Sequence, residues 1–225
     1  MPPLISILLP TRNSSRFLKP RIDSILNQTT QDWELLIADS FSSDGTWETF
    51  QELAAQDPRV SVAQVPIGLY EAWNFLVRKA RGKYVYIATS DDEMENDCLE
   101  KMTRALEAHP ECDLCDSIIK LVDANGNEIS EESPSYVAHN WHVDFPQDIC
   151  HLRYAPHDFY LHLGGKTVYT SITQLLIRRK LFEKTGLYST TFGRSADYLW
   201  GMRAARYSNV VFLPEKLATW RIHEN

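Results

Sequence analysis

A chain of 225 residues with 44% hydrophobic and 24% charged side chains is long enough for one substantial α/β domain or at most two small ones. Its formal net charge of −7 argues against a nucleic-acid partner, because binding to phosphate backbones needs a basic surface. No apolar run is long enough to cross a bilayer and the N-terminus lacks a signal-peptide pattern, so we expect a cytoplasmic protein without a transmembrane segment.

The first half of the sequence alternates apolar strands with amphipathic helices. The predicted strands cover residues 4–9, 33–38, 60–65 and 84–88, and the predicted helices cover residues 15–28, 46–56 and 68–80. This alternation with short connections predicts a mostly parallel, doubly wound sheet. In such sheets, ligands bind beyond the carboxyl ends of the strands.

The second half has a weaker pattern. Helices are predicted over residues 97–109, 179–185 and 197–207, the last capped by Ser195, and strands over 113–122, 170–177, 210–213 and 218–222. Asn125-Gly126 predicts a hairpin turn. Residues 130–166 have little periodicity but many aromatic residues and histidines, which fits an acceptor platform and a plain surface excursion equally well.

Cys112 and Cys115 have the spacing of half a zinc site, but no second pair matches them, so we interpret both as strand residues.

Carboxylates follow two of the predicted parallel strands. Asp39 ends the second strand, and Asp91 and Asp92 come directly after the fourth. Two adjacent carboxylates repel each other unless a cation lies beside them. Mg²⁺ or Mn²⁺ carrying substrate phosphates fits such a pair, whereas a solvated acidic turn before the next helix explains the pair alone equally well.

Several segments occur in an order that identifies a family. They are residues 5–13 (ISILLPTRN), 28–39 (QTTQDWELLIAD), 43–46 (SDGT), 68–74 (GLYEAWN) and 82–92 (GKYVYIATSDD), with weaker matches at 195–200 (SADYLW) and 220–223 (WRIH). With these segments the chain resembles the family 2 inverting glycosyltransferases of the GT-A fold. The resemblance covers nearly the whole chain except about 130–165.

The resemblance implies a single GT-A domain over residues 1–225, with a nucleotide-sugar-binding half at 1–92 and a smaller, mixed acceptor and catalytic half at 93–225. It implies an enzyme of polysaccharide biosynthesis that transfers a sugar with inversion. The expected donor is a nucleotide-diphosphate sugar, a UDP-sugar first, and the acceptor is a hydroxyl of a glycan, a lipid-linked molecule or a protein. Mn²⁺ or Mg²⁺ is the implied cofactor. The alternative is a non-catalytic sugar-nucleotide-binding module of the same fold.

The resemblance also implies roles for single residues. Asp197 matches the general base that deprotonates the acceptor hydroxyl, and Asp92 and His223 match metal-binding positions. Asp39 is expected at the nucleobase and Asp91 near the ribose. The full set of expected nucleotide-binding residues is Pro10, Thr11, Arg12, Asn13, Asp39, Asn74 and Asp91.

The sequence departs from the family pattern at two of these loops. Arg12 stands where the family usually has a Tyr that stacks on the base, and Ser40 stands where a second Asp is usual. A guanidinium can stack or contact phosphate, so the identity of the base stays open.

A nucleotidyltransferase lacks support, because no Gly-rich phosphate loop follows the first strand. The sequence leaves open peripheral association with the inner membrane face and membership of a longer protein as one module.

Overall fold

The computed structural model describes residues 1–130, 146, 148–165 and 168–222. Its strands are β1 (Ile5–Thr11), β2 (Trp33–Asp39), β3 (Val60–Gln64), β4 (Tyr84–Ile87), β5 (Cys112–Val122), β6 (His151–Arg153), β7 (Leu175–Arg178) and β8 (Asn209–Arg221). Its α-helices are α1 (Leu18–Leu26), α2 (Thr46–Gln56), α3 (Leu69–Lys79), α4 (Cys98–Ala108), α5 (His157–Leu163), α6 (Leu181–Thr185) and α7 (Ala196–Tyr207). None of these helices is both long and apolar enough to cross a membrane.

All eight described strands form one sheet in the order β3-β2-β1-β4-β7-β5-β8-β6. The first four in this order are parallel to one another, which confirms the predicted doubly wound half. Strand β7 is antiparallel to both β4 and β5, β5 is parallel to β8, and β6 is antiparallel to β8. The second half is therefore mixed, as expected.

Successive side chains of a strand point to opposite faces of the sheet, so the apolar core consists of one cluster on each face. Ile5, Ile7 and Leu9 of β1 join the apolar cluster that includes side chains of α1, α2 and α4. Leu8 lies in the cluster on the other face, together with side chains of α3, α6 and α7. Strands β1, β2 and β4 are thus buried on both faces, which explains why they read as continuous apolar runs.

Three predicted elements differ from the observed ones. The two short strands predicted at 210–213 and 218–222 form one strand, β8, whose pairing with β5 shifts from Ser117↔Leu213 to Ile118↔Lys216. Pro214 lies within this shift, and proline has no N–H for the ladder. The strand predicted at 170–177 begins only at Leu175, because Ser171 caps a 3₁₀ turn over Ile172–Gln174.

The region without periodicity contains β6 and α5, neither of which was predicted. Both are short, and the apolar repeat of a short element is too brief to detect. Cys112 and Cys115 are buried strand residues of β5, as predicted. Asn125 lies in a tight turn in which the N–H of Asp123 donates to the carbonyl of Asn127 at 2.8 Å.

Candidate active site

A cleft of about 240 Å³ opens at the carboxyl ends of the parallel strands. Pairing of Thr11 with Asp39 places the ends of β1 and β2 side by side. The cleft is lined by Pro10, Thr11 and Arg12 after β1, Ser40 after β2, Ile67, Gly68, Leu69 and Ala72 around the start of α3, and Ser90 after β4. Three predicted nucleotide-binding residues, Pro10, Thr11 and Arg12, thus line one cleft. Ser40, Ser90 and residues around the start of α3 form the rest of its lining.

Backbone-to-side-chain hydrogen bonds hold the loops after β1 and β2 together. The N–H of Asn13 donates to Oγ of Ser42 at 2.8 Å, and the N–H of Ser43 donates to Oδ1 of Asn13 at 2.9 Å. Asn13 has a positive φ of 49°, a conformation that Asn tolerates better than most residues. The predicted residue Asn13 therefore fixes the rim of the cleft.

Asp44 makes a second connection between these loops. Its carboxylate accepts from the N–H of Ser15 at 2.9 Å and from Oγ1 of Thr46 at 2.6 Å. Desolvation of the carboxylate opposes ionisation of Asp44, but the hydrogen bonds from Thr46 and Ser15 outweigh it and hold the pKa of Asp44 well below its usual range. Asp44 thus fixes the loop through its hydrogen bonds to Ser15 and Thr46.

Asp39 is fully buried at the end of β2, and its carboxylate is used within the protein. One oxygen accepts from the N–H of Ser42 at 3.0 Å, and the other accepts from the hydroxyl of the same residue. Asp39 thereby closes the turn that carries Phe41 with a positive φ of 55°. The predicted contact between Asp39 and a nucleobase stays a prediction.

The Asp91-Asp92 pair after β4 is not a fully solvated acidic turn. Asp92 is buried, its carboxylate accepts from the N–H of Arg221 at 2.6 Å and from the Thr89 hydroxyl, and its carbonyl accepts from the Arg21 guanidinium. Burial raises the pKa of Asp92 to about 6, and the neighbouring charge of Asp91 raises it further. A buried carboxylate next to a second one favours a cationic ligand.

Hard oxygen donors such as Asp91 and Asp92 fit Mn²⁺ or Mg²⁺. No group of three or more His, Cys, Asp or Glu side chains with metal-binding geometry occurs within the described part of the chain, so further ligands to a metal here would come from elsewhere. Phosphate oxygens and water are the usual source for these ions. The predicted metal ligand His223 lies outside the described residues.

Arg221 is a residue of this site for which no role was predicted. Its Nε donates to the carbonyl of Asp91 at 2.7 Å, its Nη2 lies 2.6 Å from the carboxylate of Glu93, and its Nη1 donates to the carbonyl of Asp123 at 3.2 Å. One buried side chain at the end of β8 therefore fixes the Asp91-Asp92 loop. The WRIH segment contained this arginine, but nothing in the sequence indicated its partners.

Asp197 lies in the first turn of α7 and is exposed. Ser195 occupies the predicted N-cap position but makes no capping hydrogen bond through its side chain.

Tyr70, at the start of α3, lies beside Asp197. Burial raises the pKa of Tyr70 to about 12, and the negative charge of Asp197 adds to the shift. Tyr188 stacks on Tyr70 with ring centroids 6.1 Å apart and lies 5.0 Å from the ring of Trp200 in α7. The start of α3 thus lines the cleft and borders Asp197.

Asn74 is buried in α3, and both ends of its amide are used. Its Nδ2 donates to the carbonyl of Tyr188 at 2.8 Å, and its Oδ1 accepts from the N–H of Tyr188 at 2.9 Å. These bonds hold the segment that leads to α7. The predicted contact between Asn74 and a nucleotide stays a prediction.

The eight-stranded mixed sheet with this strand-end cleft is the architecture of the GT-A fold. The same fold is found in crystal structures of S. aureus TarS residues 1–349 with UDP (TM-score 0.72, 18% identity, 99% of this chain and 61% of that one). It is also found in the mannosyltransferase PcManGT from Pyrobaculum calidifontis in complex with GDP-Man and Mn²⁺ (TM-score 0.68, 19% identity, 98% of this chain and 57% of that one).

The chain belongs to glycosyl transferase family 2, whose sequence profile matches residues 6–186. Its relatives include chondroitin synthase of Escherichia coli, 40% identical over 99 residues that are 44% of this chain and 14% of the relative. Hyaluronan synthase of Pasteurella multocida is 37% identical over 99 residues, which are 44% of this chain and 10% of the relative. The matched part is thus a small share of each of these relatives. The predicted family and fold are confirmed.

Proposed function

We propose that this chain is the catalytic domain of an inverting glycosyltransferase of polysaccharide synthesis. It would move a sugar from a nucleoside diphosphate, UDP first, to a hydroxyl of a glycan, lipid-linked or protein acceptor, on the cytoplasmic side. The observation that carries the proposal is the strand-end cleft, with the half-buried Asp91 and the buried Asp92 after β4 and the Asp197 carboxylate beyond the start of α3. The names of two relatives, a chondroitin synthase and a hyaluronan synthase, support polysaccharide synthesis.

A nucleoside diphosphate is the ligand class that this cleft fits. Strands β2 and β4 flank β1 on opposite sides, and neighbouring strands lie about 4.8 Å apart, so their ends are roughly 10 Å apart. A nucleoside diphosphate bound across these ends would have its base near β2 and its diphosphate near β4. Bound UDP in TarS and GDP-Man in PcManGT support this ligand class for the fold.

Mn²⁺ or Mg²⁺ is proposed at Asp92, with Asp91 beside it near the ribose. A bound divalent ion would neutralise negative charge on the departing diphosphate. Burial and the neighbouring charge of Asp91 both disfavour ionisation of Asp92, and a bound cation would offset this cost. Mn²⁺ in the PcManGT complex supports a divalent ion in this fold.

Asp197 is proposed as the general base. Its Oδ1 accepts from the N–H of Tyr198 at 2.7 Å, a contact that fixes the orientation of the carboxylate. In the proposed step, Asp197 takes the proton of the acceptor hydroxyl while that oxygen forms a bond to the anomeric carbon. The bond from the anomeric carbon to the diphosphate oxygen breaks with its electron pair, and the configuration inverts.

The test is to measure transfer and binding together. We would screen UDP- and GDP-sugars with Mn²⁺ by thermal shift, since a ligand at 100 times its Kd stabilises a protein by about 2.7 kcal/mol. Any stabilising donor would then be incubated with glycan and lipid-linked acceptors, and the anomeric configuration of the product would be read by NMR. Retention of configuration would refute the single displacement, and binding without turnover under all conditions would favour a non-catalytic module.

A further inference from the structure

Phe41 combines two features that a bulky side chain rarely shows together. It has a positive φ of 55°, and its side chain is 59% exposed. A bulky residue in this backbone region is a genuine outlier, and such strain persists where the surroundings impose it. An exposed aromatic ring also gains little from burial in the free protein, so neither packing nor backbone preference explains this phenylalanine.

Hydrogen bonds on both sides of Phe41 impose its conformation. Before it, the N–H of Ser40 donates to the carbonyl of Thr11 at 2.9 Å. After it, Ser42 donates its N–H and its hydroxyl to the carboxylate of Asp39 and accepts from the N–H of Asn13. Hydrogen bonds among Thr11, Asn13, Asp39, Ser40 and Ser42 thus fix one strained turn and the ring that it carries.

This turn lies at the β2 side of the cleft. Ser40, the residue before Phe41, lines the cleft, and Ile67 and Leu69 line it from the start of α3. Ile67 and Leu69 are also exposed, at 60% and 52%. The cleft therefore has exposed apolar side chains beside the Phe41 turn, whereas the acidic residues Asp91 and Asp92 follow β4.

We infer that Phe41 stacks on the base of the donor nucleotide and that Asp39 acts by holding Phe41 in place. This inference rests on the proposed function and deepens it. A diphosphate needs cations or N–H donors, and a sugar needs hydrogen-bonding partners. The base is the part of a nucleoside diphosphate sugar with a flat face that an aromatic ring can cover, and such stacking tolerates any base.

The decisive variant is Phe41→Gly, because it changes stability and affinity in opposite directions. Glycine adopts positive φ without strain, so the melting temperature should rise or stay unchanged. Loss of the ring should weaken the binding of UDP and of GDP by about tenfold, in line with the usual value of base–aromatic stacking. Binding of inorganic pyrophosphate with Mn²⁺, which has no base, should stay within twofold of wild type.

Tyr154→Gly is the matched control. Tyr154 is also 59% exposed, but it follows β6 at the other edge of the sheet and is not among the residues with positive φ. This variant should leave the affinity for UDP unchanged and should not raise the melting temperature. Isothermal calorimetry of both variants against UDP, GDP and pyrophosphate, with a thermal melt of each, completes the experiment.

The outcomes separate this inference from the proposed function. If wild type binds neither UDP nor GDP, the proposed function fails and this inference with it. If wild type binds UDP and Phe41→Gly binds it equally tightly, the inference alone is wrong. Equal weakening of UDP and pyrophosphate would also overturn it, because the turn would then shape the whole cleft without contacting the base.

Discussion

The parallel half of the sheet and its mixed half are stabilised by different means. In the parallel half, apolar strands fill the core, and short polar side chains such as Asn13, Ser42 and Asp44 organise the loops at the strand ends. In the mixed half, a cluster of ion pairs is buried on both sides: Arg153 is 1% exposed and pairs with Asp116 and Asp158, which are 1% and 3% exposed. The parallel half therefore carries the cleft loops on an apolar frame, whereas the mixed half adds a fully buried cluster of paired charges to its apolar core.

The buried ion cluster of the mixed half should give the largest effect. Arg153→Met removes the cation that serves Asp116 and Asp158, at 2.6 Å and 3.0 Å, and leaves two buried carboxylates without it. Breaking a buried pair in this way costs about 3–5 kcal/mol. Urea unfolding measures this loss. Lys19→Met, which breaks an exposed pair with Asp23, should cost less than about 1 kcal/mol, and similar losses in both variants would refute the contrast.

The second prediction concerns chemistry in the mixed half. Asp197→Asn keeps the shape of the side chain but cannot take a proton, so transfer should fall by at least about 10²-fold. A general base acts in the transition state, so the affinity for the donor and for Mn²⁺ should stay near that of wild type. Steady-state kinetics with calorimetry checks both points, and an Asn variant that transfers at the wild-type rate would exclude Asp197 as the base.

The third prediction concerns the loop of Asp92, where the two halves meet. Burial first, and then Asp91, raise the pKa of Asp92 to about 6 in the fold. Well above pH 6 the carboxylate is charged in both folded and unfolded chains, and the full cost of burying its charge destabilises the metal-free fold. Asp92→Asn should therefore stabilise the metal-free protein by about 1–3 kcal/mol at pH 8 and abolish Mn²⁺-dependent donor binding.

The stability gained by Asp92→Asn should depend on pH, and this dependence is the control for the prediction. As the pH falls from 6 towards 4, the folded wild type takes up a proton on Asp92, and the advantage of the Asn variant should shrink to near zero. Denaturant titrations at pH 8, 6 and 4 measure this trend. A gain that is the same at all three pH values, or a variant that still binds Mn²⁺ and UDP tightly, would contradict the account.

The smallest expected effect concerns the turn of the parallel half. Asp39→Ala removes the acceptor of two hydrogen bonds from Ser42, so stability should fall by about 1 kcal/mol and UDP binding by about fivefold. Asp57→Ala, which removes a carboxylate before β3 and far from the cleft, should lower stability without changing UDP affinity. Equal effects of both variants on UDP binding would show that Asp39 acts on stability alone.

Much of the parallel half could be predicted from the sequence. Its strands and helices have strong periods, their connections are short, and carboxyl ends of parallel strands meet at one edge of a sheet. The positions of Asp39 and of Asp91-Asp92 at that edge follow directly. In the mixed half, the predicted strand 113–122 and helix 197–207 were also found, whereas β6, α5 and the continuity of β8 were not predicted.

The partners of the polar side chains were decided by the tertiary structure alone. Asn74 bonds the backbone of a residue 114 positions away, and Arg221 bonds a carbonyl 130 positions away. Periodicity reports which side of an element is apolar, and it carries no information about which distant backbone atom a buried amide or guanidinium will meet. The family, the parallel half and the edge of the sheet where the site lies could all be inferred from the order of the residues. Only the folded chain decided that the Asp39 carboxylate is used by the Phe41 turn and that Arg221 fixes the Asp91-Asp92 loop, because buried polar groups must be paired with whatever the completed fold brings to them.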